Sequence, residues 1–401
     1  MKKLIGALAL AAMVAASAFA EVSFGAWVCN LPTLIASDGD GIKGGAVSNP
    51  WGWGARPARV DINFTSDDGK AGMILGAYAN FTGGIASSSD NTLMWIKPID
   101  QIKLSLGQHD NFFGTRGDLC YGSWNWLRPS SSTSQVRWGE GITFTSSNSG
   151  PGAKSGLGLQ ILPVEALKIF AFVPLEVNDK GDSNVVKTLD KVFGASTVGA
   201  TYAIDGIGTI KAQFLGQYDV NDADKKKLGT IEAAFDLTAV DKLFATVGIE
   251  FVVQDSDRFG KGDKMFGVAL GASYGITEAF KVAADFSLSI PKDGDMGLAF
   301  GAGLDYAVSD ALGLVADVRM IMPNNDFDPS MSFLVGATYA VGSNASLGLG
   351  FQAAVAMGDK IANVKDGLNT IPALKVVTAA ADGTSYKKFI FAVPLRFSTW
   401  F

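Results

Sequence analysis

Apolar and polar residues alternate with a period of two along several stretches of this chain. Every second residue from Phe280 to Ile290 is apolar, while the residues between them include Lys281 and Asp285. A period of two places successive side chains on opposite faces of a strand, whereas helical spacing would scatter these charges around a cylinder. The pattern therefore predicts strands with one apolar and one polar face. The same alternation occurs in residues 59–64, 231–237, 243–253, 296–306 and 312–320.

The connections between these stretches are alternately short and long. A tyrosine suits the edge of an apolar band because its ring is apolar and its hydroxyl is hydrated. The short connections share a phrase in which a tyrosine precedes a tight polar turn, and it begins at Tyr202, Tyr274, Tyr306 and Tyr339. The longer connections are rich in Asp, Lys, Asn and Gly and cover residues 178–189, 220–227, 254–264, 291–295, 323–329 and 357–385.

The composition indicates that the apolar faces do not all meet in a water-soluble core. Hydrophobic residues make up 48% of the chain and charged residues only 18%, against about 25% charged in a typical soluble domain. No apolar run beyond residue 20 approaches the ~20 residues that a spanning helix needs. Strands with lipid on one face and water on the other would account for this excess of interleaved apolar residues.

The first 20 residues have the features of a secretory signal peptide. Lys2 and Lys3 form a basic region, an apolar run follows to about residue 14, and Ala18-Phe19-Ala20 supplies small residues before the cut. Cleavage would leave Glu21 as the first mature residue and change the net charge from −6 to −8, because two lysines are removed. A lipoprotein signal would require a Cys directly after the cut, and Cys29 comes too late.

The last strand carries a resemblance to a known class. Every second residue from Phe389 to Phe397 is apolar, and the sequence ends on Phe401. This is similar to the C-terminal signal of bacterial outer-membrane proteins, in which Phe397 and Phe401 would be recognised by the barrel-assembly machinery. Taken with the alternation and the unequal connections, the mature chain resembles the porin-like class of outer-membrane barrels.

The resemblance implies an all-β fold, a transmembrane antiparallel up-and-down β-barrel with short periplasmic turns and long extracellular loops. Residues 21–401 would form one domain in the outer membrane of a double-membrane bacterium, in contact with its lipid. The strands assigned below total an odd number, whereas an even count is typical. Either residues 119–127 therefore add a strand or one weak stretch is a loop. We predict about 18 strands, within roughly 16–20. Strands are predicted to begin near residues 165, 191, 207, 227, 240, 263, 277, 295, 310, 330, 344 and 386, after earlier ones at 21–28, 57–66, 70–82, 91–97, 100–108, 134–146 and 155–162.

About 18 strands would enclose a water-filled interior, which predicts passive diffusion of small hydrophilic solutes. The mixed signs of the interior charges predict only a weak ion preference, slightly towards cations because the chain is acidic. A homotrimer is implied by the resemblance, although the sequence shows no interface. Candidate pore-lining residues on the polar faces are Arg59, Asp61, Lys103, Lys168, Lys211, Glu232, Asp236, Glu250, Lys281, Asp285, Asp317 and Arg319.

A further group of candidates lies in residues 109–133, the hypothetical constriction loop. Charges of both signs facing one another in a pore create a transverse field that selects polar solutes of modest size. The alternatives are a surface loop or a strand with interfacial aromatics, and the clustered tryptophans permit a variant in which pore-lining rings stack against sugars. The charged candidates are His109, Asp110, Arg116, Asp118 and Arg128.

The residue pattern argues against other chemistries. His109 is the single histidine, and no nucleophile motif accompanies it, so we expect no enzyme activity. Asp38 and Asp40 begin like a calcium loop, but Ile42 stands where an oxygen ligand belongs; we predict no metal and no cofactor. An acidic chain with a pI near 5.0 is a poor match for nucleic acid.

Two questions stay open at this level. Cys29 and Cys120 are the only cysteines and could form a disulfide in an oxidising envelope. Two other functions also compete with the channel. A surface adhesin would use the long segments 29–56 and 357–385 to bind ligands, whereas a transporter for hydrophobic substrates would need a plug for which the N-terminal run is too short.

Overall fold

The computed structural model of the protein describes residues 21–37, 41–43, 46–48, 58–79, 85–87, 92–108, 136–137, 141–142, 155–174, 196–216, 229–254, 264–322, 329–357 and 389–401. The predicted signal peptide, residues 1–20, lies outside these ranges. Within them, no helix is long and apolar enough to cross a membrane.

The described residues are organised as β-strands joined by turns, in agreement with the predicted fold class. The strands are β1 (Glu21–Ser37), β2 (Ile42–Lys43), β3 (Ala46–Ser48), β4 (Ala58–Thr65), β5 (Ala71–Ala79), β6 (Ile85–Ser87), β7 (Thr92–Ile99), β8 (Ile102–Gln108), β9 (Val136–Arg137), β10 (Gly141–Ile142), β11 (Ser155–Val164), β12 (Leu167–Pro174), β13 (Thr197–Ile204), β14 (Gly208–Gly216), β15 (Gly229–Leu237), β16 (Leu243–Val253), β17 (Lys264–Gly275), β18 (Phe280–Pro291), β19 (Gly297–Ala307), β20 (Leu312–Met322), β21 (Ser330–Gly342), β22 (Ala345–Ala356) and β23 (Phe389–Trp400).

One sheet of 21 strands contains all of these elements except β9 and β10, which pair with each other. Three of its members, β2, β3 and β6, are only two or three residues long. From β11 to β23 each strand pairs in antiparallel fashion with the next one along the chain, as an up-and-down arrangement requires. The predicted count of about 18 stays a prediction.

The first strand pairs on both sides. Its residues Glu21–Val28 pair with β4, and the stretch from Trp27 to Ser37 pairs with the last strand, β23. Backbone hydrogen bonds also join Ala26 and Phe401 in both directions. Pairing of the first strand with the last is the contact that barrel closure requires, because it removes both sheet edges.

Two predicted boundaries in the first half are wrong. β1 continues to Ser37, so residues 29–37 belong to a strand and not to the long segment 29–56. The described residues of the predicted strand 134–146 form two short strands, β9 and β10, which pair with each other, while β8 pairs directly with β11. Sequence alternation alone could not exclude a single strand here. The predicted strand starts in the second half agree within a few residues, and the largest difference is at Thr197.

The short connections contain a recurrent hydroxyl-capped turn. The Thr277 hydroxyl accepts a hydrogen bond from the Phe280 amide at 3.0 Å, and the Ser309 hydroxyl accepts one from the Leu312 amide at 3.0 Å. Each hydroxyl residue stands three positions after a tyrosine, which explains two of the four repeated phrases, those at Tyr274 and Tyr306. We call this end of the sheet the short-turn rim; it comprises turns 66–70, 100–101, 165–166, 205–207, 238–242, 276–279, 308–311 and 343–344.

The turn at 66–70 shows the same chemistry in another form. The Ser66 hydroxyl donates a hydrogen bond to the Asp68 carboxylate at 2.7 Å and accepts one from the Ala71 amide at 2.9 Å. The hydrogen bond from Ser66, followed by that from the Lys70 amide, lowers the pKa of Asp68. Gly69 has φ 65°, in the left-handed region where a glycine is favoured.

The two faces of the sheet differ as the alternation predicts. Along β16, Glu250 is 6% exposed whereas its neighbour Phe251 is 45% exposed. We call the first face the polar face and the second the apolar face. Since the polar face is the covered one, it is turned towards the interior of the fold. Buried members of the polar face are Lys211, Gln213, Glu232, Asp236, Thr246, Glu250, Asp285, Asp317 and Ser332, and exposed members of the apolar face are Ile231, Val247, Ile249, Phe251, Leu270, Phe286, Phe300, Phe333 and Val335.

Candidate functional site

The polar face of β15–β18 carries a group of carboxylates that we call the acidic wall. Glu232 on β15 lies directly opposite Glu250 on β16 in the strand register. Asp236 is paired in register with Thr246, and that row continues through Gly271 to Asp285 on β18. All four carboxylate residues, Glu232, Asp236, Glu250 and Asp285, are buried.

Neighbouring polar side chains hold the acidic wall in place. Gln213 Nε2 on β14 donates a hydrogen bond to Glu232 Oε2 at 2.5 Å, and Thr246 Oγ1 donates one to Asp236 Oδ1 at 2.7 Å. The Lys211 ammonium forms an ion pair with the other Asp236 oxygen. A buried charge is tolerated only when it is paired or hydrogen-bonded, so these contacts allow carboxylates to face the interior of the sheet.

A group of lysines occupies a different part of the polar face. Lys97 lies near the end of β7, Lys103 near the start of β8 and Lys168 near the start of β12, so all three are close to the short-turn rim. We call them the lysine group. Pairing places β11 between β8 and β12, and β13 and β14 between β12 and the acidic wall. Positive and negative charges are therefore concentrated on different sectors of the same face.

The aromatic side chains that the structure places on the polar face, Phe170, Phe172 and Trp95, were not among the residues predicted to line the pore. Phe170 and Phe172 on β12 are each 1% exposed, and their rings lie over the backbone of Gly199 and Gly156 on adjacent strands. Phe170 and Phe172 share the parity of Lys168, which was predicted to face the pore. The alternation along β12 therefore already indicated that these two rings lie on the polar face. Trp95 on β7 lies in the same way over Gly72.

The hairpin formed by β9 and β10 lies across the sheet from the strands that flank it in sequence. β10 lies against β16 and β17, and β9 lies against β17 and β18, whereas the flanking strands β8 and β11 pair with each other. The apolar face of β16 is exposed at Val247, Ile249 and Phe251, so the hairpin covers the polar face. Residues 136–137 and 141–142 thus lie on the interior side of the sheet, beside β16–β18.

Other predicted pore-lining residues are dispersed along the sheet. Arg59 and Asp61 share the polar face of β4, and Arg59 Nε lies 2.9 Å from Asp61 Oδ2. Lys281 is exposed at the beginning of β18. Asp317 is buried on β20, in register with Leu334 on β21 and Gly303 on β19. Arg319 follows two positions later on the same strand.

Several predicted residues fall outside the described part of the chain. The charged candidates of the hypothetical constriction loop do so: His109, Asp110, Arg116, Asp118 and Arg128. Cys29 lies in β1 with its backbone opposite Ser398, whereas Cys120 is not described, so the disulfide stays a prediction. Phe397 is exposed on the apolar face of β23. Among the described residues, no group of three or more His, Cys, Asp or Glu side chains could hold a metal ion.

Comparison with solved structures identifies the fold. An anion-selective porin from Comamonas acidovorans superposes with a TM-score of 0.53 at 11% sequence identity, covering 95% of this chain and 100% of the porin. A triple mutant of the Rhodopseudomonas blastica porin superposes with a TM-score of 0.49 at 13% identity, covering 94% and 100%. No family model matches the sequence, and no curated protein matches it. The likeness to the Comamonas acidovorans porin shows that the chain has a porin-like, all-β fold.

Proposed function

We propose that this protein is an outer-membrane channel for the passive diffusion of small hydrophilic solutes. The observation that carries the proposal is the division of the sheet into two faces: apolar side chains are exposed outside, and charged side chains face the interior. Lipid around the outer face removes the exposed apolar area from water, while interior charges favour a hydrated path. The porin-like fold supports the same assignment.

The distribution of charge supports selection of polar solutes. The lysine group on β7, β8 and β12 and the acidic wall on β15–β18 occupy separate sectors of the interior face. Opposite charges on separate walls produce a field across a pore, which favours polar solutes over apolar ones. The hairpin β9–β10 reduces the free cross-section beside the acidic wall, and we propose that residues 109–133 complete this constriction.

We further propose that the predicted signal peptide, residues 1–20, directs export and that the short-turn rim faces the periplasm. Insertion would follow recognition of β23 by the barrel-assembly machinery. N-terminal sequencing of protein purified from outer membranes tests the cleavage site: a mature chain that starts at Glu21 is expected, and one that retains residue 1 would contradict export by cleavage.

Planar-bilayer recording tests the channel. The purified protein is expected to produce discrete, long-lived conductance steps. In a KCl gradient, we expect a small reversal potential whose sign indicates a preference for cations. Asp285→Asn removes one charge of the acidic wall and should reduce that preference. Glu278→Gln removes a carboxylate from an exposed turn and serves as the matched control, with no change expected.

Two results would contradict the proposal. Absence of conductance steps from protein that is folded in the same membranes would exclude a channel. Equal reversal potentials for wild type, Asp285→Asn and Glu278→Gln would show that the acidic wall does not face the permeation path.

Removal of residues 358–388 should leave conductance steps intact, whereas an adhesin would lose ligand binding on this change.

A further inference from the structure

The lysine group has an arrangement that simple diffusion does not require. Lys97 shares the polar face of β7 with Trp95, because Met94 and Ile96 are exposed on the opposite face. Lys103 on β8 is in register with Gln160 on β11, and Gln160 is in register with Phe170 on β12. Lys168 lies two positions before Phe170 on the same face of β12. The three lysines therefore converge on one part of the interior, beside the short-turn rim.

Trp95 brings two of these ammonium groups together. Lys103 Nζ lies 4.7 Å from the centroid of the Trp95 ring, and Lys97 Nζ lies 5.5 Å from the same centroid. Both distances fall within the range of about 6 Å for cation–π attraction. The ring itself is held against β5, since a Cβ at Gly72 would overlap it. A fixed indole thus restrains two lysine side chains that would otherwise separate.

The cost of this arrangement is electrostatic repulsion. Lys97 and Lys168 both exert Coulombic repulsion on Lys103, which is also half-buried. Among the described residues, no carboxylate forms an ion pair with Lys97 or Lys103. Asp100 and Glu165 lie in the adjacent turns and are exposed. Because Lys97 and Lys103 are held close together, an anion that binds between these two ammonium groups relieves their repulsion.

We propose that Lys97, Lys103 and Lys168 form an oxyanion-binding site at the short-turn end of the interior, with Trp95 as its positioning residue. The ligand class is a phosphate or carboxylate group of a small solute, because several oxygen acceptors match several ammonium donors. Cation–π contact with Trp95 holds two donors in place before the ligand arrives, which reduces the entropy lost on binding. The proposal rests on the proposed function only in requiring an interior that is open to water.

Isothermal titration calorimetry in detergent micelles tests this site without requiring a conducting channel. Inorganic phosphate and succinate are titrated separately into the purified protein in a chloride buffer. Saturable binding to wild type is expected, at least tenfold weaker for Lys103→Gln. Lys281→Gln removes one lysine from the polar face at the same rim but outside the lysine group, and binding should be unchanged.

Two additional variants separate a lost site from a damaged fold. Lys103→Arg keeps the positive charge and should retain binding within a few-fold of wild type. Trp95→Leu should weaken binding, while Trp95→Phe keeps an aromatic face and should restore most of the affinity. Circular dichroism and heat-dependent gel mobility of each variant report whether the barrel has formed.

The outcomes are distinct. Saturable binding of both anions supports a general oxyanion site, and binding of phosphate alone or succinate alone supports the site and identifies the group that it takes. Absence of saturable heat for both anions with folded wild type overturns the proposal, as does equal binding by Lys103→Gln and Lys281→Gln. A protein that binds the anions but produces no conductance steps would leave this site standing and refute the channel.

Discussion

Replacement of Ile249 by arginine tests whether the apolar face of the sheet lies in lipid. Ile249 is 48% exposed on β16, a strand of 11 residues that begins at Leu243 next to the short-turn rim. With a rise of about 3.3 Å per residue and a tilt of about 40°, Ile249 lies about 15 Å from that end. The apolar band of such barrels is about 25 Å tall, so Ile249 is near its middle.

An arginine at this depth is expected to lower the free energy of unfolding by about 2–4 kcal/mol. Ala245 lies on the same face of the same strand but only about 5 Å from the end, where an arginine costs about 0–1 kcal/mol. The two variants add the same charge and differ mainly in depth. The difference in depth should therefore separate the free energies of unfolding of the two variants by about 1–4 kcal/mol.

The measurement is equilibrium unfolding by urea in phospholipid vesicles, followed by tryptophan fluorescence. If this face were exposed to water, Ile249→Arg would change the free energy of unfolding by only about 0.5 kcal/mol. Equal losses for Ile249→Arg and Ala245→Arg would refute the reasoning, because depth in a membrane would then have no effect.

Three further predictions concern the interior and the rim. Gly199→Ala should lower the free energy of unfolding by about 1–3 kcal/mol, because a Cβ there would overlap an aromatic ring of β12; denaturant titration measures it. Lys211→Met should cost about 3–5 kcal/mol by the same assay, because it leaves the buried Asp236 carboxylate without its cation. The hydrogen bond from Lys242, and then the charge of Lys242, lower the pKa of Glu278. The stabilisation by this pair is therefore fully present above the unfolded-state pKa of Glu278. It is lost as the pH falls through the folded-state pKa. Lys242→Met should raise that pKa, which carboxyl NMR titration would report.

Each of these has an internal control. A Cβ at Gly25 would meet no atom within 4 Å, so Gly25→Ala should cost less than Gly199→Ala, and equal losses would contradict the packing argument. Combining Lys211→Met with Asp236→Leu should cost less than the two single changes added together, whereas additive losses would mean that the ion pair is not coupled. An unchanged Glu278 titration in Lys242→Met would show that the two side chains do not meet in solution.

Local patterns in the sequence were sufficient to predict much of the fold. The alternation from Phe280 to Ile290 identified both faces of β18, because side-chain direction in a strand depends only on position along it. The tyrosine phrases predicted the short turns correctly, since the capping hydroxyls of Thr277 and Ser309 act within three residues. Where alternation was weak, as in residues 134–146, the predicted strand was wrong.

The candidate site could be predicted only in part. Parity placed Glu232, Asp236 and Asp285 on the polar face, where the structure has them. It did not show that β9 and β10 lie beside β16–β18, because this hairpin comes from a segment far away in sequence. Trp95 was not recognised as a residue of the interior, although it shares the parity of Lys97.

The sequence by itself determined that this chain forms strands with one apolar and one polar face, joined by turns that are short at one end. These properties arise from interactions among residues that are near one another along the chain. The tertiary structure alone decided that β8 pairs with β11, and it set the register in which β1 pairs with β23. It also decided that two lysines, Lys97 and Lys103, meet at one tryptophan, whereas carboxylates line another sector. Such neighbours are set by backbone hydrogen bonds between distant segments, and the register of those bonds is not encoded in any local period.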